Sequence, residues 1–421
     1  MTRSVALARP STATLIALAL LASLVLVAPP LAAGGRPEAT RFATFNASLN
    51  RGSEGQALAD LSAPGNAQAS AVAEIIQRTR PDVLLINEFD YVDGPVDGNA
   101  MTDAFQANYL GVSQNGADPI DYPYVYVAPS NTGIASGFDL NNNGAVGGAD
   151  DAFGFGFFPG QFGMAVFSQY PIDYDDARTF QLFRWADMPG ALLPVDPATD
   201  ESWYSEAELE VFRLSSKSHW DVPIDVGGST VHFLVSHPTP PVFDGAEDRN
   251  GTRNHDEIRF WADYVTPGAG GYIYDDAGGT GGLRPGSKFA IAGDQNSDPL
   301  DGDSIPGSIQ QLLDNPRVNT TVTPDSEGAV EAASQGGEDG ANASHRSPPR
   351  FDTADFNDSA PGNLRADYVL PSRSLRIVDA AVFWPVLADP LSSLTGTFPF
   401  PSSDHRLVWV DVMVPGSNPG G

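Results

Sequence analysis

The chain is 421 residues long, with 53 acidic residues against 23 basic ones, a formal net charge of −30 and no cysteine. Such a surface repels polyanions at long range and excludes broad electrostatic gripping of nucleic acid, although bound divalent cations reverse the field locally and leave phosphate chemistry open. The lack of cysteine excludes disulfide staples, so packing, with or without a metal, has to hold the fold.

The first stretch, MTRSVALARPSTATLIALALLASLVLVAPPLAAGG, carries two arginines, an apolar run from Leu15 to Ala28 and small residues from Ala32 to Gly35. This is the layout of a secretory signal peptide, assigned to residues 1–34, and its apolar run is shorter than the ~20 residues of a membrane-spanning helix. A secreted, periplasmic or extracellular protein is expected; an uncleaved N-terminal anchor is the competing reading. RFATFNASL (41–49) then reads as a short strand. In NAQASAVAEIIQRTR (66–80), Ala69, Val72, Ile75 and Ile76 share one helical stripe and Asn66 is the N-cap. PDVLLINEFD (81–90) is a continuous apolar strand of the fully buried kind. Strand, helix and strand in succession form a βαβ unit, which predicts an α/β domain.

Further buried strands are expected at GMAVFS (163–168), VHFLVSH (231–237), KFAIAGD (288–294), RADYVLP (365–371), RIVDAAVF (376–383) and HRLVWVDVMV (405–414). NHDEIRFWADYV predicts a second helix, with Asn254 as N-cap and Glu257 completing a capping box. Long connections rich in Gly, Pro and Asp lie at about 91–162, 170–230 and 321–360. No repeat or composition break divides the chain, so one large domain over 38–415 with inserted loops is expected.

Polar residues interrupt these apolar runs at equivalent places. Asn46 ends the first strand, Glu88 the second, His237 follows VHFLVS, and Asp294 and Asn296 stand in GDQNSDP. Taken singly, each has a plain reading as a turn former, a solvated strand end or a satisfied core histidine. Together they bring carboxylate, amide and imidazole to the C-terminal ends of several strands, where an α/β sheet binds its ligands.

The ordered set ATFN, LLINEF, GMAVFSQYPI, SHPTPP, GDQNSDP, RADYVLPS and SSDHRLVWVDV resembles the endonuclease/exonuclease/phosphatase superfamily of metal-dependent phosphoesterases. The resemblance implies a four-layered α/β sandwich, in which two mixed β-sheets pack face to face with helices outside. It implies that Glu88 binds a divalent cation, Mg²⁺ or Mn²⁺, with Asn46 and Asp404 at the same metal or its waters. Asp294 resembles the residue that orients or deprotonates the attacking water, and Asn296 its neighbour holding nucleophile and phosphate. His237 and His405 resemble the two phosphoryl-oxygen donors, and Asp367 the acidic partner of one of them. No carboxylate partner for the other histidine is identifiable. The loops at 91–162 and 170–230 have no counterpart in minimal members.

The chemistry needs these residue types. A phosphoric ester is already anionic, so attack by water requires neutralisation of the charge that builds on its oxygens. Magnesium prefers oxygen ligands and keeps several waters, so one or two carboxylates and an amide suffice to seat it.

Other candidates stand apart. DLNNNGAVGGAD puts Asp139, Asn141, Asn143 and Asp150 at the spacing of an EF-hand loop, with Gly144 at its sixth position, so structural calcium and a plain Asn/Gly-rich loop compete there. FGFGFFPGQFG (153–163) reads as packing or as an aromatic rim for a substrate group. Arg253, and less so Arg249 and His255, are candidates for a phosphate contact. His219 and His232 read as structural. The expected function is hydrolysis of a phosphodiester or phosphomonoester by direct attack of water, with a phosphate ester as partner and nucleic acid only as substrate. An extracellular nuclease is the nearest alternative, and a non-catalytic binding or surface module on the same fold is the alternative of another class.

Overall fold

The computed structural model describes residues 39–92 and 99–417. The signal peptide assigned to residues 1–34 lies outside the described residues. In chain order the strands are β1 (Thr40–Asn46), β2 (Val83–Asn87), β3 (Tyr124–Tyr126), β4 (Met164–Ser168), β5 (Arg178–Thr179), the small hairpin β6 (Val195–Asp196) and β7 (Glu201–Ser202), β8 (His219–Val226), β9 (Ser229–Ser236), β10 (Lys288–Asp294), the hairpin β11 (Ala354–Asp355) and β12 (Asn363–Leu364), β13 (Asp367–Pro371), β14 (Arg376–Val382) and β15 (Val408–Met413). The helices used below are α1 (Gln56–Leu61), α2 (Ala67–Thr79), α3 (Ala100–Phe105), α4 (Glu206–Leu209) and α5 (Arg249–Val265).

Two mixed sheets result, one ordered β14-β15-β1-β2-β4-β3 and the other β13-β10-β9-β8-β5. Alternation along each strand decides the layers, because successive side chains point to opposite faces. Phe42, Val83, Leu85, Val166 and Val410 of the first sheet meet Trp220, Val222, Phe233, Ala290 and Val369 of the second in one buried core. The opposite face of the first sheet, with Phe45, Leu84, Ile86 and Phe167, is covered by Val72, Ile75 and Ile76 of α2. The opposite face of the second, with Leu234, Phe289, Ile291 and Tyr368, is covered by Ile258, Phe260 and Trp261 of α5. This is the expected four-layered sandwich. Each fully buried Leu, Ile, Val or Phe contributes about 1.5–3 kcal/mol, so all three interfaces are needed to hold a chain without staples.

The helix α2 starts as its sequence predicts: the Asn66 side chain accepts from the Ala69 amide at 3.0 Å. The second helix differs. It begins at Arg249, five residues before the expected start, with Asp248 as its N-cap residue, so Asn254 and Glu257 lie inside it and form no capping box. The region 170–230 also holds more order than a loop. Strand β8 pairs with β9 along its full length, and its Pro223 escapes detection because proline is rare inside sheets. Here the Pro223 carbonyl accepts from the Asp173 amide at 3.0 Å on the side beyond β9, where β5 has ended. The proline ring therefore occupies a position where no donor to a neighbouring strand is required.

Candidate active site

The parallel strands β1 and β2, and likewise β9 and β10, run to one edge of the sandwich, and the antiparallel strands β13 and β15 start there. Register does the alignment: Asn46 stands opposite Asn87, and Asp294 opposite Asp367. Asn87 ties the sheets together at this edge. Its buried Oδ1 accepts from the Thr44 hydroxyl at 3.3 Å and from the Asp294 amide at 3.2 Å. Gly293 permits the close approach, since its φ is 145° and a Cβ there would fall 2.0 Å from the Ser236 carbonyl oxygen. Glu88 and Asn296 leave their strands with φ of 57° and 50°, left-handed values that cost a non-glycine residue about 1–3 kcal/mol each and that collect at functional sites.

The backbone so arranged brings the expected residues together. Asp294 Oδ2 lies 3.1 Å from Asn46 Nδ2, 3.3 Å from His237 Nε2 and 3.6 Å from His405 Nε2. Asp294 Oδ1 accepts from the Asn296 amide at 2.8 Å, and Asn296 Nδ2 donates to the Pro238 carbonyl at 3.1 Å. His405 Nδ1 meets Asp367 Oδ2 at 2.8 Å, and the Thr353 hydroxyl donates to the same oxygen at 2.8 Å. Asn46 Nδ2 also reaches Glu88 Oε1 at 3.2 Å, while Asn50 Nδ2 donates to Glu88 Oε2 at 2.8 Å. His237 has Asp294 on one side and a buried Nδ1 without a hydrogen-bond partner on the other, so Asp294 is the carboxylate it faces.

Electrostatics assign charges. Burial works against a charge on His405, yet the carboxylates of Asp367 and Asp294 outweigh it and hold the imidazolium well above the ordinary histidine range. Burial likewise opposes the Asp294 carboxylate, but His405 and His237 overcome it and hold its pKa below the usual carboxylate range. Burial raises Asp367, which the charge of His405 only partly relieves. The result is a carboxylate, imidazolium, carboxylate row. Its two ends differ in use: the 3.6 Å between His405 Nε2 and Asp294 is too long for a hydrogen bond, so that N–H is free for an incoming oxygen.

A cleft of about 590 Å³ opens over this row, lined by Glu88, His237, Asp294, Asn296, Asp404 and His405, and its lining contains no arginine or lysine. A cavity in which carboxylates outnumber the imidazoles, with no arginine or lysine in its lining, fits a hard divalent cation. Asp294, Asp367 and His405 offer ligand atoms within 4.8 Å of one another. The hydrogen bond to Asp367 occupies His405 Nδ1; Glu88, with Asn46 Nδ2 3.2 Å from its Oε1, and Asp404 bring further carboxylates to the lining of the same cleft.

The remaining candidates serve elsewhere. Arg253 is buried and donates to the carbonyls of Leu214 at 2.8 Å, Phe153 at 2.5 Å and Arg213 at 3.0 Å, so it braces inserted loops against α5 rather than reaching into the cleft. Arg249 pairs with Glu247, and His255 with Asp256. In the 139–150 loop, Asp139 accepts from the amides of Asn143 at 3.0 Å and Gly144 at 2.7 Å, Asn141 from Asn143 at 3.1 Å and Asn143 from Ala145 at 2.8 Å. Asp151, not Asp150, closes this loop through the amides of Leu140 and Gly147. These bonds shape the loop, and Asp150 lines a separate cavity. His219 and His232 are structural, as expected, bonded to Ser215 and Asp221.

The sequence reading passed over Asn87 and Thr353 and gave Asn254 and Glu257 a capping role they do not have. Asn87 and Thr353 position Asp294 and Asp367. Glu257 accepts the Ser216 and Thr239 amides at 2.6 Å each, and Asn254 donates to the carbonyls of Thr239 and Gln295, so both tether the loops that carry His237 and Asn296. Polar residues on the buried face of an amphipathic helix are the signal that could have found this pair.

Comparison with known proteins agrees with this picture. No curated protein matches the chain. Solved structures similar to it include an endonuclease/exonuclease/phosphatase from Beutenbergia cavernae, 17% identical at a TM-score of 0.46, covering 90% of this chain and 72% of that one. Beta toxin of Staphylococcus aureus with bound magnesium ions is 14% identical at a TM-score of 0.44, covering 89% of this chain and 99% of that one. TDP2 from Caenorhabditis elegans is 14% identical at a TM-score of 0.39, covering 89% and 74%. The model of the Endonuclease/Exonuclease/phosphatase family matches residues 43–405, the span over which the site has just been assembled. The chain therefore belongs to the endonuclease/exonuclease/phosphatase family and is a phosphoric ester hydrolase.

Proposed function

We propose an exported, divalent-metal-dependent phosphoesterase that cleaves a phosphodiester or phosphomonoester by direct attack of water. The observation that carries this is Asp294, a carboxylate held 3.3 Å and 3.6 Å from two imidazoles at the floor of an acidic cleft. Glu88, Asp404 and Asn46 would hold Mg²⁺ or Mn²⁺, which when bound neutralises charge on the phosphate. The chain's own residues supply the rest. His405, charged by Asp367, donates its Nε2 proton in a hydrogen bond to a non-bridging oxygen, which gains negative charge in the transition state. His237 offers Nε2 to a second oxygen beside it. Asp294 is a weak base while both imidazoles face it, so it aims the attacking water and takes its proton as the water oxygen bonds to phosphorus and the ester P–O bond opposite breaks, the departing alkoxide taking a proton from solvent water. Asn296 keeps the Asp294 carboxylate turned to this task through its amide.

Phosphomonoesters and phosphodiesters of any bulk fit this chemistry. The net charge and the absence of arginine and lysine from the cleft lining favour small esters over a long nucleic-acid duplex. Export rests on the layout of residues 1–34, and among the described residues no helix is long and apolar enough to cross a membrane.

The test is incubation of the mature protein with bis-p-nitrophenyl phosphate, a phosphomonoester, plasmid DNA and a phospholipid, with Mg²⁺, Mn²⁺, Ca²⁺ or chelator. Turnover of at least one substrate is expected, stopped by chelator and lost in Asp294→Ala and His405→Ala. Activity unchanged in both variants refutes the reading.

A further inference from the structure

Beside the catalytic cleft lies a second cavity of about 480 Å³, and Glu88, His237, Pro240, Val242 and Phe243 line both. Leu140, Phe155, Phe162, Tyr204 and Phe212 of the long insertions add an apolar wall, and Arg249, Asn250 and Arg253 of α5 a polar one. The rings are arranged in pairs, Phe155 with Phe162 at 6.4 Å and Tyr204 with Phe212 at 4.8 Å between centroids. These walls are braced from behind. Asn131 donates to the carbonyls of Gln181 and Ser215 at 2.8 Å each, Arg253 ties Phe153 to Leu214, and a Cβ on Gly154 would fall 1.8 Å from the Ser216 carbonyl oxygen. The cavity is therefore preformed rather than a gap between mobile loops.

Lys217, one of only two lysines in the chain, is buried and lines this cavity. Burial works against its charge, and the carboxylates of Glu257, Glu88 and Asp294 partly offset that cost. A chamber walled by rings, sharing Glu88 and His237 with the phosphate-facing cleft, suits a ligand that is anionic at one end and flat and apolar at the other.

We infer that the cavity receives an aromatic substituent of the phosphoric ester, phenolic or nucleobase-like, while the phosphate sits over Asp294. The inference rests on the proposed phosphoesterase reading and narrows its substrate class. Ring walls favour a planar group through edge and face contacts that a flexible alkyl chain of equal carbon number does not exploit.

Calorimetric titration of the Mg²⁺-loaded protein with methyl-, hexyl- and phenylphosphonate tests it without requiring turnover. Phenylphosphonate is expected to bind about tenfold tighter than methylphosphonate and clearly tighter than hexylphosphonate, as one additional buried ring should allow. In Ala152→Phe, which fills the cavity, the phenyl-to-methyl preference should collapse while methylphosphonate binding persists. Phe155→Ala removes a half-exposed ring at the lip and should reduce the preference by about threefold without risk to the core. Thymidine 5′-phosphate separates the two sources: affinity equal to phenylphosphonate identifies a nucleobase, weaker affinity a phenol. Equal binding of methyl- and phenylphosphonate, hexylphosphonate binding as tightly as phenylphosphonate, or a preference retained in both variants overturns the inference. Preferential phenylphosphonate binding by a protein without turnover would instead sink the catalytic reading and leave the cavity standing.

Discussion

The catalytic cleft and the 139–151 loop are both built from Asp and Asn, yet their carboxylates do opposite things. In the loop, both oxygens of Asp139 and both of Asp151 accept backbone amides, so the charge is consumed in shaping the chain. In the cleft, Glu88 accepts from two side-chain amides, Asp404 has a hydroxyl 3.4 Å away, and Asp294 gives one oxygen to the Asn296 amide while the other faces two imidazoles. A carboxylate becomes chemically available when neighbouring side chains, rather than its own backbone, surround it.

The contrast should appear first in rates. Asp294→Asn is expected to lower kcat by about a thousandfold or more with the circular dichroism spectrum unchanged, because it removes both the acceptor for water and the charge facing His405. An intact rate would place the cleft with the loop as mere scaffolding.

Asp367→Asn should lower kcat by about a hundredfold, the typical cost of losing one charged donor, and it should move the basic limb of the pH profile to lower pH. The sign follows from His405: its folded pKa lies above the ordinary value, so the charged form loses support when Asp367 is neutralised. The same raised pKa makes its contribution to stability complete below about pH 6.5 and lost as pH climbs through the folded value. Asp294, depressed instead, contributes above about pH 3.9, and that contribution vanishes as pH falls through its folded value. Thermal melts across pH should therefore show a flatter alkaline side in Asp367→Asn than in wild type. An unshifted basic limb would mean that the pair does not set the charge of the imidazole.

Glu257→Ala leaves two buried amides unpaired and should cost about 2 kcal/mol in denaturant melts, with Glu257→Gln restoring part of it. A rise in KM for the diester is expected as well, since Thr239 follows the loop that carries His237. No change in stability would remove Glu257 from the role of tether.

The smallest effect belongs to the loop. Asp139→Ala should cost about 1 kcal/mol by melting temperature, equally in chelator and in millimolar calcium, because its partners are amides. A loss seen only in calcium would make the loop a cation site and erase its contrast with the cleft.

What was legible in advance, and what was not, divides along the range of the interactions. Apolar runs closing on Asn46, Glu88, His237 and Asp294 are local patterns, so the strands, the α/β class and the polar strand ends follow from short stretches read one at a time, whereas the four layers and the roles at the site were implied by the resemblance of the ordered motif set. Helix α2 obeys its own N-cap for the same reason. The fate of Asn254, Glu257 and Arg253 could not be read that way, because their partners lie on loops 15 to 100 positions distant. Pro223 concealed a strand whose missing donor matters only once the neighbouring strand's length is known. The second cavity is wholly tertiary: insertions far apart in sequence meet beside Glu88 and His237. By itself the sequence determined the strands and the polar residues that end them, through rules that act over a few positions. Only the packed structure decided which polar groups were spent on backbone amides and carbonyls and what shape was left for a substrate, since a group's availability depends on every neighbour that folding brings to it.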